Sequence, residues 1–140
     1  MLKRSVFIIL AAALIIVGGI VLAGCQKGEI NMVITPEQAA SLIAENQNNP
    51  GFVILDVRTP AEYQSGAIAG AVNIDIYSAD FKSRLNQLNK NKKYLVYCHT
   101  GNRSAQAAAI MKDLKFKEVY DLSGGVVRWS QEGHPLVKPY

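Results

Sequence analysis

Two rhythms of apolar and polar positions alternate along residues 32–140. Short apolar runs at 32–34, 52–57, 71–76, 93–97 and 118–122 have the length and continuity of strands buried in a parallel sheet. Between them the pattern turns helical. Thr35, Pro36 and Gln38 stand at the N-cap, first and third positions of a capping box, and the segment they open runs to a breaker at 46–51. Thr59, Pro60 and Glu62 repeat that logic, and Gly66 ends the short helix they predict. Ser78 is read as the cap of a third helix, with Phe81, Leu85 and Leu88 at helical spacing. Residues 104–114 are strong helix formers, and Gly124-Gly125 introduces a short last helix through Trp129. Five strands alternating with helices predict an α/β domain built on a mostly parallel sheet. Ligands of such sheets bind beyond the carboxyl ends of the strands.

The start of the chain follows neither rhythm. Residues 1–24 carry only Lys3 and Arg4 as charges, followed by an unbroken apolar stretch. A basic start and an apolar run are the pattern of an export signal. A membrane-spanning helix needs about 20 apolar residues, so length alone leaves that alternative open. The end of the run decides between them. Leu22-Ala23-Gly24-Cys25 resembles the lipobox of bacterial lipoproteins. That resemblance implies cleavage before Cys25, lipidation of its sulfur, and a protein exported and held on the cell membrane, facing the periplasm or the exterior. The expected organisation is a signal peptide at 1–24, a lipidated tether at 25–31 and a domain at 32–140.

Charge changes the picture little. The chain has a formal net charge of +4, which falls to +2 once Lys3 and Arg4 leave with the signal. No dense basic run remains, so the expectation is no nucleic-acid partner. The cysteine count is more informative. There are two, and with Cys25 lipidated, Cys98 has no disulfide partner. A lone thiol outside the cytoplasm is either a buried apolar side chain or a reactive one.

Its setting points to reactivity. Cys98 follows the run at 93–97 and precedes the helix predicted from Ser104, so it lies at the carboxyl end of a strand. Residues 98–103 then form a tight turn that Gly101 permits. A turn feeding a helix N-terminus directs backbone N–H groups and partial positive charge inward. A cysteine at its centre is expected to be a stabilised thiolate, nucleophilic near neutral pH.

Residues 98–105, CHTGNRSA, resemble the active-site loop of the rhodanese-like sulfurtransferases. The resemblance extends in order through DVRTPAEY at 56–63, GAIAGAVNI at 66–74, and LSGGVVRW at 122–129 with Gly133 and Pro135. The second of these departs from the family's GHIPGA pattern at Ala67 and Ala69. The resemblance implies a doubly wound five-stranded α/β sheet flanked by helices, and transfer of sulfane sulfur through a persulfide on Cys98. A small donor such as thiosulfate would load the sulfur. Cyanide, a thiol or a partner protein's cysteine would take it. Related phosphatases place one residue more between cysteine and arginine than the four separating Cys98 from Arg103.

Each neighbouring residue carries its own expectation. His99 is a donor-contacting group, and Thr100, Gly101 and Asn102 serve through their backbone N–H groups. Arg103 either attracts the anionic substrate or holds the loop closed through an ion pair. Arg58 and Glu62, four apart, are expected to pair with each other, and Asp56 to anchor the backbone or pair locally. Trp129 is expected in the core. His99 and His134 are the only histidines, so no metal set is expected. No cofactor is expected beyond the covalent persulfide. A sulfur-carrier module without turnover has the same sequence signature; a phosphatase or arsenate reductase is the more distant alternative.

Overall fold

The computed structural model describes residues 30–140; the apolar segment at 1–24 and Cys25 lie outside the described residues. Ten elements follow in order: β1 (Ile30–Ile34), α1 (Pro36–Glu45), β2 (Phe52–Asp56), α2 (Pro60–Ser65), β3 (Val72–Asn73), α3 (Phe81–Asn86), β4 (Lys93–Tyr97), α4 (Asn102–Asp113), β5 (Glu118–Leu122) and α5 (Gly125–Gln131). The strands form one sheet in the order β1-β5-β4-β2-β3, with every pairing parallel. This is the α/β architecture that the alternation predicts.

Side-chain alternation in the central strand sorts the core into two layers. Tyr94, Val96 and Cys98 face one side, where Phe81 and Leu85 of α3 and Ala107, Ala108 and Met111 of α4 cover them. Leu95 and Tyr97 face the other, against Ala39 of α1 and Val126 and Trp129 of α5. Among the described residues, the two clusters draw on every element but β3, so this span carries a core of its own.

Both capping boxes form. Thr35 receives the N–H of Gln38 while the Gln38 side chain accepts from Thr35 N, and Thr59 and Glu62 repeat the exchange. Several boundaries move. Ile30 and Asn31, which the pattern leaves in the tether, belong to β1, where Ile30 N donates to Lys117 O at 2.7 Å. The strand expected at 71–76 shortens to two residues at the sheet edge, because Ile74 and Ile76 turn their N–H groups to Asp56 O and Val57 O. Asp80, not Ser78, is the N-cap of α3; Ser78 Oγ donates to Asp80 Oδ1 at 2.6 Å instead. The fourth helix begins at Asn102 rather than Ser104, which tightens the turn after β4 to residues 98–101.

Candidate active site

Because all strands run the same way, the turns after β2, β4 and β5 gather at one end of the sheet. Cys98 is there, 1% exposed, continuing the inward face of β4. The turn around it is built from main chain. Gly101 N donates to Cys98 Sγ at 3.0 Å. Gly101 has φ +103, the left-handed region that lets the chain reverse and enter α4 at once. The first amides of α5 hold the other side, with Val126 N donating to Cys98 O at 3.0 Å and Val127 N to His99 O at 3.1 Å. In a trans peptide the N–H lies opposite the carbonyl, so these bonds turn the N–H groups of His99 and Thr100 away from α5. Gly125 permits this contact. A Cβ at that position would lie 2.5 Å from both Cys98 O and His99 O.

The turn after β2 is built from side chains. Asp56 is fully buried and Arg58 is 3% exposed. Arg58 Nη2 donates to Asp56 Oδ2 at 2.6 Å, and Nε lies 3.0 Å from both carboxylate oxygens. Arg58 Nη2 also donates to Gly66 O at 2.7 Å, and the guanidinium lies 5.5 Å from the centre of the Tyr97 ring. Burial pushes the Tyr97 hydroxyl well above its ordinary range, so it stays neutral and accepts the N–H of Ile68 at 3.1 Å.

This geometry overturns the expected Arg58–Glu62 pair. Arg58 precedes the N-cap and turns inward to Asp56, while Glu62 on α2 faces Arg103 at the start of α4. Arg103 Nη1 and Nη2 meet the two Glu62 oxygens at 2.8 and 2.6 Å. Of the two roles expected of Arg103, the geometry takes the ion pair that clamps the loop. Those hydrogen bonds hold the Glu62 carboxyl down at about 2, helped by Thr59, and Glu62 in turn raises Arg103. Tyr77 lies against the same guanidinium, 5.6 Å from ring centre to carbon.

His99 and Thr100 are exposed beside Cys98, and Asn102 is exposed on the first turn of α4. A cavity of about 330 Å³ opens beside His99, lined also by Arg58, Glu62, Val126, Val127 and Leu136. Among the described residues, the amide contact to sulfur comes from Gly101. Among the described residues, no cluster of three histidine, cysteine or acidic side chains is placed to hold a metal ion. Trp129 is in the core, its Nε1 donating to Pro135 O at 3.0 Å. At Ala67 the main chain bridges Val137, each N donating to the other's O at 2.8 Å. Three supporting residues escape a reading of the sequence by residue type. Asn73 ties the turn down by donating to Asp56 O and Arg58 O, Tyr97 receives Ile68, and Gly125 admits the loop. For Asn73 and Gly125 the signal lay in the segments that carry the family resemblance; Tyr97 had none.

A parallel α/β sheet with a buried cysteine in a main-chain turn defines the class. Residues 35–132 match the rhodanese-like domain family, and the chain belongs to it. It is 39% identical over 97 residues to the thiosulfate sulfurtransferase GlpE of Pseudomonas entomophila, covering 69% of this chain and 82% of that protein. It is 39% identical over 77 residues to YrkF of Bacillus subtilis, whose name describes a sulfur carrier, covering 55% of this chain and 40% of that one. The structure of a rhodanese-related protein from Thermoplasma volcanium superposes with a TM-score of 0.64 at 33% identity, covering 77% of this chain and 99% of that one.

Proposed function

We propose that the protein is a sulfurtransferase that carries sulfane sulfur as a persulfide on Cys98. The observation that carries this reading is the Gly101 N–H aimed at Cys98 Sγ at 3.0 Å in a turn held from behind by α5. An N–H directed at sulfur favours negative charge there, on thiolate and persulfide alike. In the loading step the Cys98 thiolate attacks the outer sulfur of thiosulfate. A new S–S bond forms, the old one breaks, and sulfite leaves with the electron pair. In the unloading step a nucleophile such as cyanide or a thiolate attacks the terminal sulfur, and the Cys98 thiolate leaves. Both steps keep one negative charge in the turn, so no metal or redox cofactor is required for balance. Donor and acceptor would approach over the exposed His99 and Thr100 beside Cys98; the cavity on the α5 side of the turn is not lined by Cys98.

The likeness to a protein named as a sulfur carrier favours a second reading, in which loading is efficient but release needs a partner protein's cysteine. The full engagement of Arg103 by Glu62 argues against a phosphate-binding role, which would want that guanidinium turned into the loop. We further propose export and lipid anchoring at Cys25, on the strength of the apolar run and the residues that end it.

Intact-mass measurement after thiosulfate treatment tests the nucleophile. The expected result is a gain of one sulfur atom that Cys98→Ser abolishes; an unmodified wild-type protein would reject the reading. Thiosulfate:cyanide kinetics then separate turnover from carriage. Membrane fractionation of Cys25→Ser tests the anchor, whose loss should release the protein.

A further inference from the structure

A fully parallel sheet gives the domain two chemically distinct ends, and its charges divide between them. The loops and last helical turns at the amino ends of the strands hold Lys90, Lys92, Lys93, Lys112, Lys115 and Lys117 against Glu45, Asp113 and Glu118. Lys112, Lys115 and Lys117 are exposed. Lys93 lies 3.6 Å from Glu118, whereas Lys90 Nζ meets the neutral side chain of Asn86, which leaves its charge uncompensated by that contact. The opposite end, around the Cys98 turn, carries the reverse balance. There the acidic side chains, among them Glu37, Asp75, Asp80 and Glu132, outnumber the basic ones.

The chain enters the domain at the basic end. Ile30 N donates to Lys117 O at 2.7 Å, and Lys117 N donates to Lys90 O at 2.9 Å, so the first described residue is bonded in series to the lysine-bearing loops. Four residues lie between Cys25 and Ile30, so the five steps from one to the other reach at most about 18 Å even if fully extended. The sequence before Cys25 is apolar. A domain tethered there has its lysine-rich end within one to two Debye lengths of the bilayer, about 8–10 Å each. At that range each lysine near an anionic leaflet contributes to binding.

We propose that the amino-end pole of the sheet docks on an anionic lipid surface. Docking stands the strands away from the bilayer and turns the Cys98 loop to the aqueous side, where donor and acceptor are soluble or peripheral molecules. This orientation rests on the anchoring reading above, but the lipid affinity of the pole does not. It is therefore tested on the 26–140 fragment, which contains both described core clusters and lacks Cys25.

The experiment is sedimentation of that fragment with vesicles of phosphatidylcholine containing about 30% phosphatidylglycerol, against phosphatidylcholine alone, at about 50 mM salt. Binding is expected to the anionic vesicles only. It should weaken about tenfold or more in a Lys92→Glu/Lys112→Glu/Lys115→Glu variant and fall steeply with added salt in the wild type. The salt titration keeps the test valid should the variant not fold. Equal partition into both vesicle types, binding indifferent to salt, or a folded variant that binds like wild type would overturn the proposal. So would displacement of the fragment from vesicles by an equal mass of tRNA, which would point to a nucleic-acid surface. Release of full-length Cys25→Ser from membranes reports on the anchor separately.

Discussion

The turn after β2 and the turn after β4 lie side by side at one end of the sheet, yet they are built from different materials. The first is closed by side chains. Asp56 takes the N–H, Nε and Nη2 of Arg58, and Asn73 donates to the carbonyls on both sides. The second is closed by main chain, through Gly101 N on sulfur and the α5 amides on the carbonyls of Cys98 and His99. A turn made of backbone leaves its side chains free. His99, Thr100 and Asn102 are exposed and can change with the substrate without altering the cradle. Such a turn is intolerant instead of anything that blocks the approach of one backbone to another.

Gly125 is the sharpest place to break it. Gly125 has φ +57, and a Cβ there would meet Cys98 O, His99 O and the His99 carbonyl carbon at 2.5–2.6 Å. Gly125→Ala is expected to cost about 4 kcal/mol or more and to abolish sulfur loading. Thermal denaturation with intact-mass analysis checks both, and a variant with wild-type melting would show that the turn yields. The side-chain-built turn should fail differently. Asp56→Ala leaves the buried Arg58 guanidinium without its counter-charge, a loss of about 3 kcal/mol. Replacing both members, as Asp56→Leu with Arg58→Met, should recover most of that loss in urea denaturation. Recovery equal to the single variant would deny that the pair acts as a unit.

The Glu62–Arg103 pair joins the two turns at a partly exposed position, with side chains 33% and 16% accessible. Solvent screening limits its worth to about 1 kcal/mol. The Glu62 carboxyl is held near 2 by Arg103, below the ordinary 4.5. A depressed carboxyl contributes stability that is present above its unfolded value and lost as pH falls. Glu62→Gln should therefore be less stable than wild type at neutral pH. The gap should close between pH 4.5 and about 2. Denaturation midpoints measured across that range decide it; a gap unchanged with pH would assign the effect to hydrogen bonding alone.

The same contrast explains what was readable in the chain. The strand runs other than 71–76, both capping boxes and the placement of Cys98 at a strand end all depend on residues near in sequence, and each appears in the structure. The pairing of Arg58 was misread because a four-residue spacing implies a shared helix face, and Arg58 stands before the N-cap, off that face. Glu62 and Arg103 are 41 residues apart, and only the adjacency of the β2 and β4 turns brings them together. Likewise the 71–76 run has strand composition throughout, but at an edge its later N–H groups found the 56–57 carbonyls instead of extending the ladder. The backbone turn was legible in its glycines, not in which amides it would use.

Asp121 offers the smallest and most discriminating test. It sits one residue from the end of β5, opposite Val96 of β4, as Asp56 ends β2. Both acids are buried, but Asp56 is surrounded by donors while Asp121 Oδ1 has no hydrogen-bond partner among the described residues. Burial pushes the Asp121 carboxyl up, with the Ser104 hydroxyl opposing. The Ser104 hydroxyl itself donates to Gly101 O at 3.1 Å, so its one proton is already directed into the Cys98 turn. A raised carboxyl contributes stability that is present below its unfolded value and lost as pH rises through the folded one, the opposite sign to Glu62. Asp121→Asn removes that loss. The variant is expected to be more stable than wild type at pH 7 by about 0.5–1 kcal/mol, with the advantage vanishing in acid. If Asp121→Asn instead destabilises at neutral pH, the ionised carboxylate has a partner after all, and the main-chain turn would rest on a charged side chain as the β2 turn does.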